Sequence, residues 1–398
     1  MTIALALSLF GAVACAHAAE APDPNLWLED LKTPRVDAWI AAENAKTTGV
    51  LEQDSRYQTL YDQALAIAEA KDRIPTPRFL GGAVYNFWQD ADHVRGLWRK
   101  TGLTDYRAPE PGWTPVLDLD ALAKAENANW VWKGADCQRP EERLCLVSLS
   151  DGGEDAVTLR EFDLSANGFV AGGFDLPKSK QSVAWNGSDD LLVARDWGHG
   201  TMTKAGYPFV VKSLKRGQKL AQAHEIYRGK PSDTEVDPVA LSDGDGHRAV
   251  FIQRGVSFFE TETYLLRDGK PVRLNLPPKA RVAELVAGRL LVKLEQDWTA
   301  GGKSFAQGSL VALDLAAVTA DPKNLKPTLV YAPGPRDSLD EVSATPLPLV
   351  VTSYTDVKGR PRSIPHRPMA AGASASSTCP TTARSASSTR IPVAARRS

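Results

Sequence analysis

The chain has 398 residues, with 47 Lys and Arg against 48 Asp and Glu, which gives a formal net charge of −1. Its sequence carries no stripe of basic and aromatic residues, so we expect no nucleic-acid partner. Outside the N terminus no segment approaches the length of a transmembrane helix, so we expect no membrane span.

The N terminus has the pattern of a secretory signal peptide. Residues 3–13 form an apolar run of suitable length, too short to span a bilayer, and Ala16-His17-Ala18 fits an A-x-A cleavage site. We therefore predict a cleaved signal peptide over residues 1–18 and a periplasmic or secreted protein. A lipoprotein anchored at Cys15 is an alternative, although the residue three positions before Cys15 is Ala and not Leu. The other alternative, a buried N-terminal strand, would not need small residues at Ala16 and Ala18.

Residues 19–77 are predicted to form a helical segment. Thr33 is placed to cap a first helix, with Pro34 at its first helical position. Ser55 is placed to cap a second helix, which Pro75 and Pro77 end. The second helix has apolar residues at three- and four-residue spacing, which predicts one apolar face: Tyr57, Leu60, Tyr61, Ala64, Leu65 and Ala68.

From Phe79 onward the pattern changes to short strands separated by turn clusters such as Asp151-Gly152-Gly153 and Asn186-Gly187-Ser188. A helical turn is predicted at residues 119–125. The predicted strands are residues 83–89, 96–100, 116–119, 130–132, 144–149, 156–163, 181–185, 190–196, 208–213, 224–227, 249–253, 262–267, 272–275, 283–286, 289–296, 309–314 and 328–331.

Many short strands at regular spacing indicate an all-β sandwich, barrel or propeller. Residues 78–360 are long for one sandwich. At about 40–50 residues per four-stranded blade, they would hold about six blades. We therefore predict an all-β fold, a β-propeller preceded by short N-terminal helices.

Cys137 and Cys145 lie in the predicted folded region, with Pro140 between them. Their short separation suits a small loop closed by a disulfide, which oxidising compartments permit. A metal site is the alternative, but no His or further Cys lies close to them in the sequence.

The sequence identifies no catalytic residue. A serine hydrolase of the α/β type would show G-x-S-x-G, because the glycines allow the serine to occupy a strained turn between a strand and a helix. No such string occurs, and residues 372–376 lack the final Gly. Four histidines of the main body are isolated in the sequence, and we interpret them as loop or strand-end residues: His93, His199, His224 and His247.

No cofactor-binding or metal-binding residue is predicted either. Asp243, Asp245 and His247 lack the later acidic ligand of an EF-hand loop, so a hairpin turn is favoured. The same interpretation applies to Asp90, Asp92 and His93. Five tryptophans are interpreted as core and blade-packing residues, with a ligand platform at one or two of them as the alternative: Trp88, Trp98, Trp113, Trp130 and Trp132.

The composition changes abruptly after Arg360. Residues 361–398 contain no carboxylate and no Phe, Trp or Tyr, but include six Arg, which leaves 41 basic against 48 acidic residues in residues 1–360. A segment this poor in large apolar residues cannot offset its ordering entropy. We predict a disordered, low-complexity tail that is a frameshift product, with the missing sequence encoded in another frame.

Residues 23–30 read D-P-N-L-W-L-E-D and residues 39–44 read W-I-A-A-E-N. This pair resembles the N-terminal signature of the prolyl oligopeptidase family, serine peptidase family S9, in which D-P-[YN]-x-W-L-E-D precedes a helix ending W-[VI]-x-x-[QE]-N. Residues 84–90 and 95–99 resemble that family's first propeller strands. Residues 117–120 and 130–132 resemble its bacterial exported branch. The resemblance covers about residues 22–360.

In this family a seven-bladed propeller caps an α/β-hydrolase domain, and the pair cleaves short peptides, usually after proline. The resemblance therefore implies a propeller that is incomplete here and an oligopeptide substrate handled through a catalytic domain that this sequence lacks. The Ser, Asp and His of the family's triad lie in that domain. No residue of this chain matches their motifs, so none is assigned.

Two functions remain open at this point. The first is the gating propeller of a truncated serine peptidase, inactive alone, with a separate hydrolase chain as a conceivable partner. The second is a free-standing exported propeller that binds a peptide, a glycan or a protein. The strand pattern stops within an element at residues 354–360, and an unclosed propeller exposes strand edges. That favours the first.

Overall fold

The computed structural model describes residues 23–30, 33–70, 72, 74–344, 349–364 and 377–378. The predicted signal peptide, residues 1–18, lies outside these residues. The chain divides into two compact units, with the boundary after Ala70. None of the helices in the described ranges combines the length and the apolar character needed to cross a membrane.

The first unit contains a 3₁₀ turn at Leu26–Glu29 and two helices, α1 (Pro34–Leu51) and α2 (Tyr57–Ala68). The predicted cap of α1 is confirmed, because Thr33 Oγ1 accepts the Val36 N–H at 3.3 Å. The predicted cap of α2 is wrong. Asp54 accepts the Arg56 N–H at 2.9 Å and organises the turn before α2, so Ser55 does not cap it. No residue of α2 is buried.

The second unit contains antiparallel sheets that follow one another along the chain. Sheet 1 comprises β1 (Arg78–Leu80), β2 (Ala83–Trp88), β3 (Leu97–Gly102) and β4 (Thr114–Asp118). Sheet 2 comprises β5 (Trp130–Cys137), β6 (Leu144–Asp151), β7 (Val157–Asp163), β8 (Gly168–Phe169) and β9 (Asp175–Ser179), the last two both pairing with β7. Sheet 3 comprises β10 (Gln181–Trp185), β11 (Asp190–Arg195), β12 (Val210–Lys215) and β13 (His224–Arg228).

Three further sheets complete the described part of this unit. Sheet 4 comprises β14 (Glu235–Ser242), β15 (Arg248–Gly255), β16 (Thr261–Arg267) and β17 (Lys270–Arg273). Sheet 5 comprises β18 (Ala280–Val286), β19 (Arg289–Leu294), β22 (Leu310–Asp314) and β23 (Thr328–Tyr331). A separate hairpin, β20 (Trp298–Ala300) and β21 (Lys303–Phe305), lies between β19 and β22 in the chain. Sheet 6 comprises β24 (Asp337–Ser343), β25 (Leu349–Thr355), β26 (Lys358–Ile364) and β27 (Ser377–Thr378).

In the described part of this unit, three short α-helices and a 3₁₀ turn at Leu220–Gln222 accompany the sheets; the α-helices are α3 (Leu103–Tyr106), α4 (Leu119–Glu126) and α5 (Leu315–Ala320). The predicted helical turn at residues 119–125 is confirmed as α4. The Asp118 side chain caps it by accepting the Ala121 N–H, and Asn127 ends it in a left-handed conformation with φ of 49°.

Consecutive sheets pack face to face through apolar clusters. Alternate residues of a strand point to opposite faces, so one strand supplies two clusters. On β11, Leu191 and Val193 pack toward sheet 2, whereas Leu192 and Ala194 pack toward sheet 4. Clusters of this kind join sheets 1 and 2, 2 and 3, 3 and 4, 4 and 5, and 5 and 6. The described residues therefore form a propeller arrangement of six blades, and the predicted all-β propeller is confirmed at that level.

The predicted boundary at residue 360 falls inside β26, so the prediction that disorder begins at residue 361 is wrong for residues 361–364. These residues pair with β25, and the Ile364 side chain is buried in the cluster between sheets 5 and 6. The backbone of β27 pairs with β26. The remainder of the predicted tail lies outside the described residues.

Candidate functional site

The first strands of the six sheets lie next to one another, and we call them the inner strands: β1, β5, β10, β14, β18 and β24. Arg78 Nη1 on β1 donates to the Ala135 carbonyl on β5 at 2.5 Å. Trp185 Nε1 on β10 donates to the Asp136 carbonyl on β5 at 3.1 Å. Strand β14 contacts β10 and β18, and β18 contacts β24. Propeller blades surround a central channel, so the inner strands are the elements that border it.

Acidic residues outnumber basic residues on the inner strands. The basic residues there are Arg78, Lys133 and Arg281. The acidic residues are Asp136, Glu235, Asp237, Glu284, Asp337, Asp340 and Glu341. This excess gives the inner strands a negative charge at neutral pH, which would attract cationic groups and repel anionic ones.

Glu235 and Asp237 are two residues apart on β14, so they share one face of the strand. The Ser182 hydroxyl of β10 donates to Asp237 Oδ1 at 2.5 Å and links the two inner strands. Burial raises the pKa of Asp237 to about 6. Burial and the neighbouring charge of Asp237 raise the pKa of Glu235 to about 7, although Arg281 acts in the opposite direction. Burial on the inner strands thus moves the pKa of both carboxyls toward neutral pH.

A further carboxyl with a raised pKa lies two blades away from Glu235 and Asp237. Burial raises the pKa of Glu341 on β24, and the negative charges of Asp340 and Glu284 add to the effect. Glu284 belongs to β18, so carboxylates of sheets 5 and 6 influence one another. Acidic character thus extends along neighbouring inner strands.

A cleft of about 290 Å³ lies between sheets 1 and 2 and is lined by Gln89, Val94, Arg95, Asp120, Trp130 and Val131. Its polar groups already have partners. Asp120 accepts the backbone N–H groups of Arg95 and Gly96, and the Arg95 guanidinium donates to the Trp130 carbonyl at 3.0 Å. These bonds serve to join the blades.

The predicted cysteine pair lies at the end of inner strand β5. Cys137 and Cys145 are directly opposite each other on β5 and β6, with Cα atoms 3.9 Å apart and an S–S distance of 2.00 Å. Both are buried in the cluster between sheets 1 and 2. The structure thus brings together the two residues that the sequence pairs.

The five predicted packing tryptophans divide into two groups. Trp98, Trp130 and Trp132 belong to the cluster between sheets 1 and 2, where the Trp98 and Trp132 ring centroids are 5.2 Å apart. The ring centroids of Trp88 and Trp113 lie 4.3 and 4.4 Å from the carbon of the Arg99 guanidinium. The core interpretation is confirmed for the first three, whereas the last two make cation–π contacts with Arg99.

The two Asp/His sequences occupy hairpin turns, as predicted. Asp243 accepts the backbone N–H groups of Asp245 and His247 in the turn between β14 and β15. Asp90 likewise accepts the N–H of His93 in the turn between β2 and β3, and hydrogen bonds from Trp88 and His93 lower the pKa of Asp90 to about 2. Among the described residues no group of three or more His, Cys, Asp or Glu side chains is arranged to hold a metal ion.

Sequence reasoning missed Glu235 and Asp237, because it did not predict β14 at all. Pro238 lies within the strand, and a proline normally argues against a strand. The first strand of a blade is an edge strand, where a missing N–H is tolerated. A signal was present in the apolar residues Val236, Val239 and Leu241 on either side of that proline.

A sequence model described as "Prolyl oligopeptidase, N-terminal beta-propeller domain" matches residues 11–378. The chain belongs to the prolyl oligopeptidase family. It corresponds to the N-terminal propeller domain of members of that family, and the family resemblance predicted from residues 23–30 and 39–44 is confirmed.

Two curated relatives are similar to this propeller. The uncharacterized peptidase y4nA of Sinorhizobium fredii (strain NBRC 101917 / NGR234) is 40% identical over 351 residues, which cover 86% of this chain and 48% of the relative. The uncharacterized peptidase RP174 of Rickettsia prowazekii (strain Madrid E) is 25% identical over 353 residues, which cover 84% of this chain and 48% of the relative. The chain therefore spans about half the length of the curated relatives that it matches.

Solved structures share the prolyl oligopeptidase propeller fold. A post-proline cleaving enzyme from Rickettsia typhi superposes with a TM-score of 0.77 at 24% identity, covering 85% of this chain and 51% of that chain. Oligopeptidase B from Leishmania major superposes with a TM-score of 0.63 at 14% identity, covering 86% of this chain and 46% of that chain. At these identities the likeness concerns the fold.

Proposed function

We propose that this chain is the substrate-gating propeller of an exported prolyl oligopeptidase-like serine peptidase, which cleaves oligopeptides after proline. The observation that carries the proposal is the match of residues 11–378 to the family's N-terminal propeller, in a chain that spans about half of its relatives. The other half of such an enzyme would supply the hydrolysis. In the intact enzyme a seventh blade would complete the ring.

The packing of the blades supports the gating role. We expect a channel bordered by six packed sheets to admit an extended peptide and to exclude a folded protein, because buried apolar clusters hold the blades together. The acidic residues of β14, β18 and β24 would favour neutral and cationic peptides over anionic ones. Selection by size and charge thus precedes the chemistry.

Hydrolysis itself needs a nucleophile, a base within hydrogen-bond reach and donors aimed at the developing oxyanion. In our proposal the C-terminal domain of the intact enzyme provides all three. The propeller contributes no catalytic group, so this chain alone would not cleave peptides.

A chimeric enzyme tests the proposal. Residues 23–364 of this chain would replace the matched N-terminal region of the Sinorhizobium fredii relative, and the parental relative would be assayed alongside. We expect the chimera to cleave a short chromogenic peptide containing proline and to leave a folded protein substrate intact. We also expect a Lys-containing peptide to be cleaved faster than a Glu-containing peptide of equal length.

Two outcomes would contradict the proposal. One is an active parent and a folded chimera that cleaves no short peptide. The other is a chimera that digests folded proteins as fast as short peptides. A folded, inactive chimera that binds a peptide, glycan or protein would favour the alternative function, a free-standing exported binding propeller.

A further inference from the structure

Two adjacent phenylalanines in sheet 4 are exposed. Phe258 and Phe259 lie in the turn between β15 and β16, with 66% and 62% of their surfaces accessible. Their ring centroids are 4.9 Å apart in an edge-to-face arrangement. Single exposed apolar residues are common, but a contiguous aromatic pair at the tip of a turn is typical of an interaction surface.

The turn that carries this pair is held by specific bonds. The N–H groups of Val256 and Ser257 donate to the Glu260 carbonyl at 2.9 and 3.3 Å. At its base, Arg254 donates to the carboxylates of Asp233 at 2.8 Å and Glu262 at 3.0 Å. The two rings are therefore presented to solvent by an ordered turn.

The turn lies at those ends of the strands where one blade is connected to the next. We call this end of the blades the connection edge. Thr261, at the start of β16, donates its N–H to the carbonyl of Pro278, in the connection from β17 to β18, at 2.8 Å. Thr234, in the connection from β13 to β14, donates its N–H to the carbonyl of Gly255 at 2.9 Å. Phe258 and Phe259 thus project beside two blade connections.

The chain also leaves sheet 6 at the connection edge. Sheet 6 has four antiparallel strands, so a chain that enters it at one edge leaves it at the same edge. The turn between β25 and β26 lies at this edge of sheet 6, where Val357 is 92% exposed. Apolar side chains are therefore exposed on the connection edge of two blades.

The relatives indicate what covers these side chains. The matched family domain is N-terminal, and this chain spans 48% of each curated relative, so the rest of each relative follows the propeller. A segment that follows β27 emerges at the connection edge. We infer that Phe258 and Phe259 form a docking contact for the C-terminal half of the intact enzyme. The inference rests on the proposed function and names the partner surface of that propeller.

Photo-crosslinking tests the contact without requiring activity. The full chain, with benzoylphenylalanine in place of Phe258, would be co-expressed with the tagged C-terminal half of the Sinorhizobium fredii relative. After irradiation we expect crosslinked peptides that join position 258 to the C-terminal half. The control carries the same photo-reactive residue in place of Leu329, which is 39% exposed on the outer strand β23, and should give no such crosslink.

A pair of substitutions gives an independent measurement. We expect Phe258→Ser/Phe259→Ser to reduce the amount of chain recovered with the tagged C-terminal half at least about tenfold, a loss of about 1.4 kcal/mol in binding free energy. Leu329→Ser should change recovery less than about twofold, since it removes a comparable exposed side chain elsewhere. Unchanged thermal unfolding of the isolated variants would show that both fold.

The results separate this inference from the proposed function. Crosslinks from position 258 without peptide cleavage by the complex would support docking and count against the proposed activity. A complex that cleaves peptides but shows no crosslink from position 258 would overturn the docking contact alone. Failure of the unsubstituted chain to associate with the C-terminal half, or equal recovery of the double variant, would also overturn it.

Discussion

Replacing Asp237 by Asn removes one of two neighbouring carboxylates on β14 and keeps the size of the side chain. The amide oxygen of Asn can still accept the hydrogen bond from the Ser182 hydroxyl, which is 2.5 Å from Asp237 Oδ1. The substitution therefore changes charge while preserving the contact between β10 and β14. Its effect on stability reports the cost of holding the acidic pair at the inner strands.

The magnitude follows from the raised pKa values. Burial raises the pKa of Asp237 to about 6, and burial together with Asp237 raises that of Glu235 to about 7. One pKa unit corresponds to about 1.4 kcal/mol, so one such carboxyl contributes about 3 kcal/mol. We count a single carboxyl because the two groups titrate together.

The sign is set by the direction of the shift. A carboxyl whose pKa is raised by folding is held in its neutral form, so its contribution to stability is fully present only below the pKa of the unfolded carboxyl, about 4. That contribution is lost progressively as the pH rises from about 4, and the loss is complete once the pH has passed the folded-state pKa values of about 6–7. We therefore expect Asp237→Asn to stabilise the chain by about 2–3 kcal/mol at pH 8 but by only about 1 kcal/mol at pH 4.5.

Urea unfolding followed by tryptophan fluorescence at pH 4.5, 6 and 8 measures this effect, since the chain has ten Trp. Asp245→Asn is the matched control, because Asp245 is exposed in the turn between β14 and β15 and should have little effect at any pH. A variant that is no more stable than the wild type at pH 8, or that is shifted equally at all three pH values, would refute the reasoning.

Three further predictions concern stability. Mass mapping of non-reduced peptides from exported material should link Cys137 to Cys145, and breaking the bond should lower the free energy of unfolding by about 2–3 kcal/mol; two free thiols would contradict the pairing. Gly96→Ala should destabilise by about 2–4 kcal/mol in urea, because Gly96 has φ of +109° and a Cβ there would lie 2.4 Å from the Phe87 ring; an unchanged midpoint would contradict it. Arg254→Gln should lower the free energy of unfolding, measured by calorimetry, by about 3–5 kcal/mol, because it removes the charged partner of the buried Asp233 carboxylate. The exposed control Arg56→Gln should have little effect.

Several strands of sheets 1 to 5 other than the inner ones were predicted closely, whereas the strands of sheet 6 were not predicted. The predicted strand at residues 328–331 is β23 to the residue, and the predicted strand at residues 190–196 is one residue longer than β11. These strands carry apolar residues on one or both faces, packed against neighbouring sheets. Burial between blades imposes the alternation that sequence reasoning recognises.

The inner strands were harder to predict for a physical reason. Three of them, β1, β14 and β24, were not predicted, and β5 and β18 were predicted only in part. One side of an inner strand borders the channel and can carry carboxylates, so its apolar pattern is weak. The candidate site was therefore missed where its polar residues interrupt the pattern, at Glu235, Asp237 and Asp340.

The cysteine pair and the family were accessible from the sequence because they depend on local features. A short Cys–Cys separation around Pro140 limits the possible pairings, and the string at residues 23–30 is nearly contiguous. The exposed pair Phe258 and Phe259 was not recognised, because a sequence does not reveal which apolar residues stay unburied. Their exposure is seen only in the structure, where their turn lies outside the apolar clusters between the sheets.

Our central proposal is that this chain acts as the propeller half of a prolyl oligopeptidase-type enzyme and supplies no catalytic group. The most direct test exposes the purified full chain to a fluorophosphonate probe for activated serines and assays a chromogenic peptide that contains proline. We predict neither labelling nor turnover, whereas the parental Sinorhizobium fredii relative should show both. A labelled serine in this chain, accompanied by turnover that the probe abolishes, would contradict the claim.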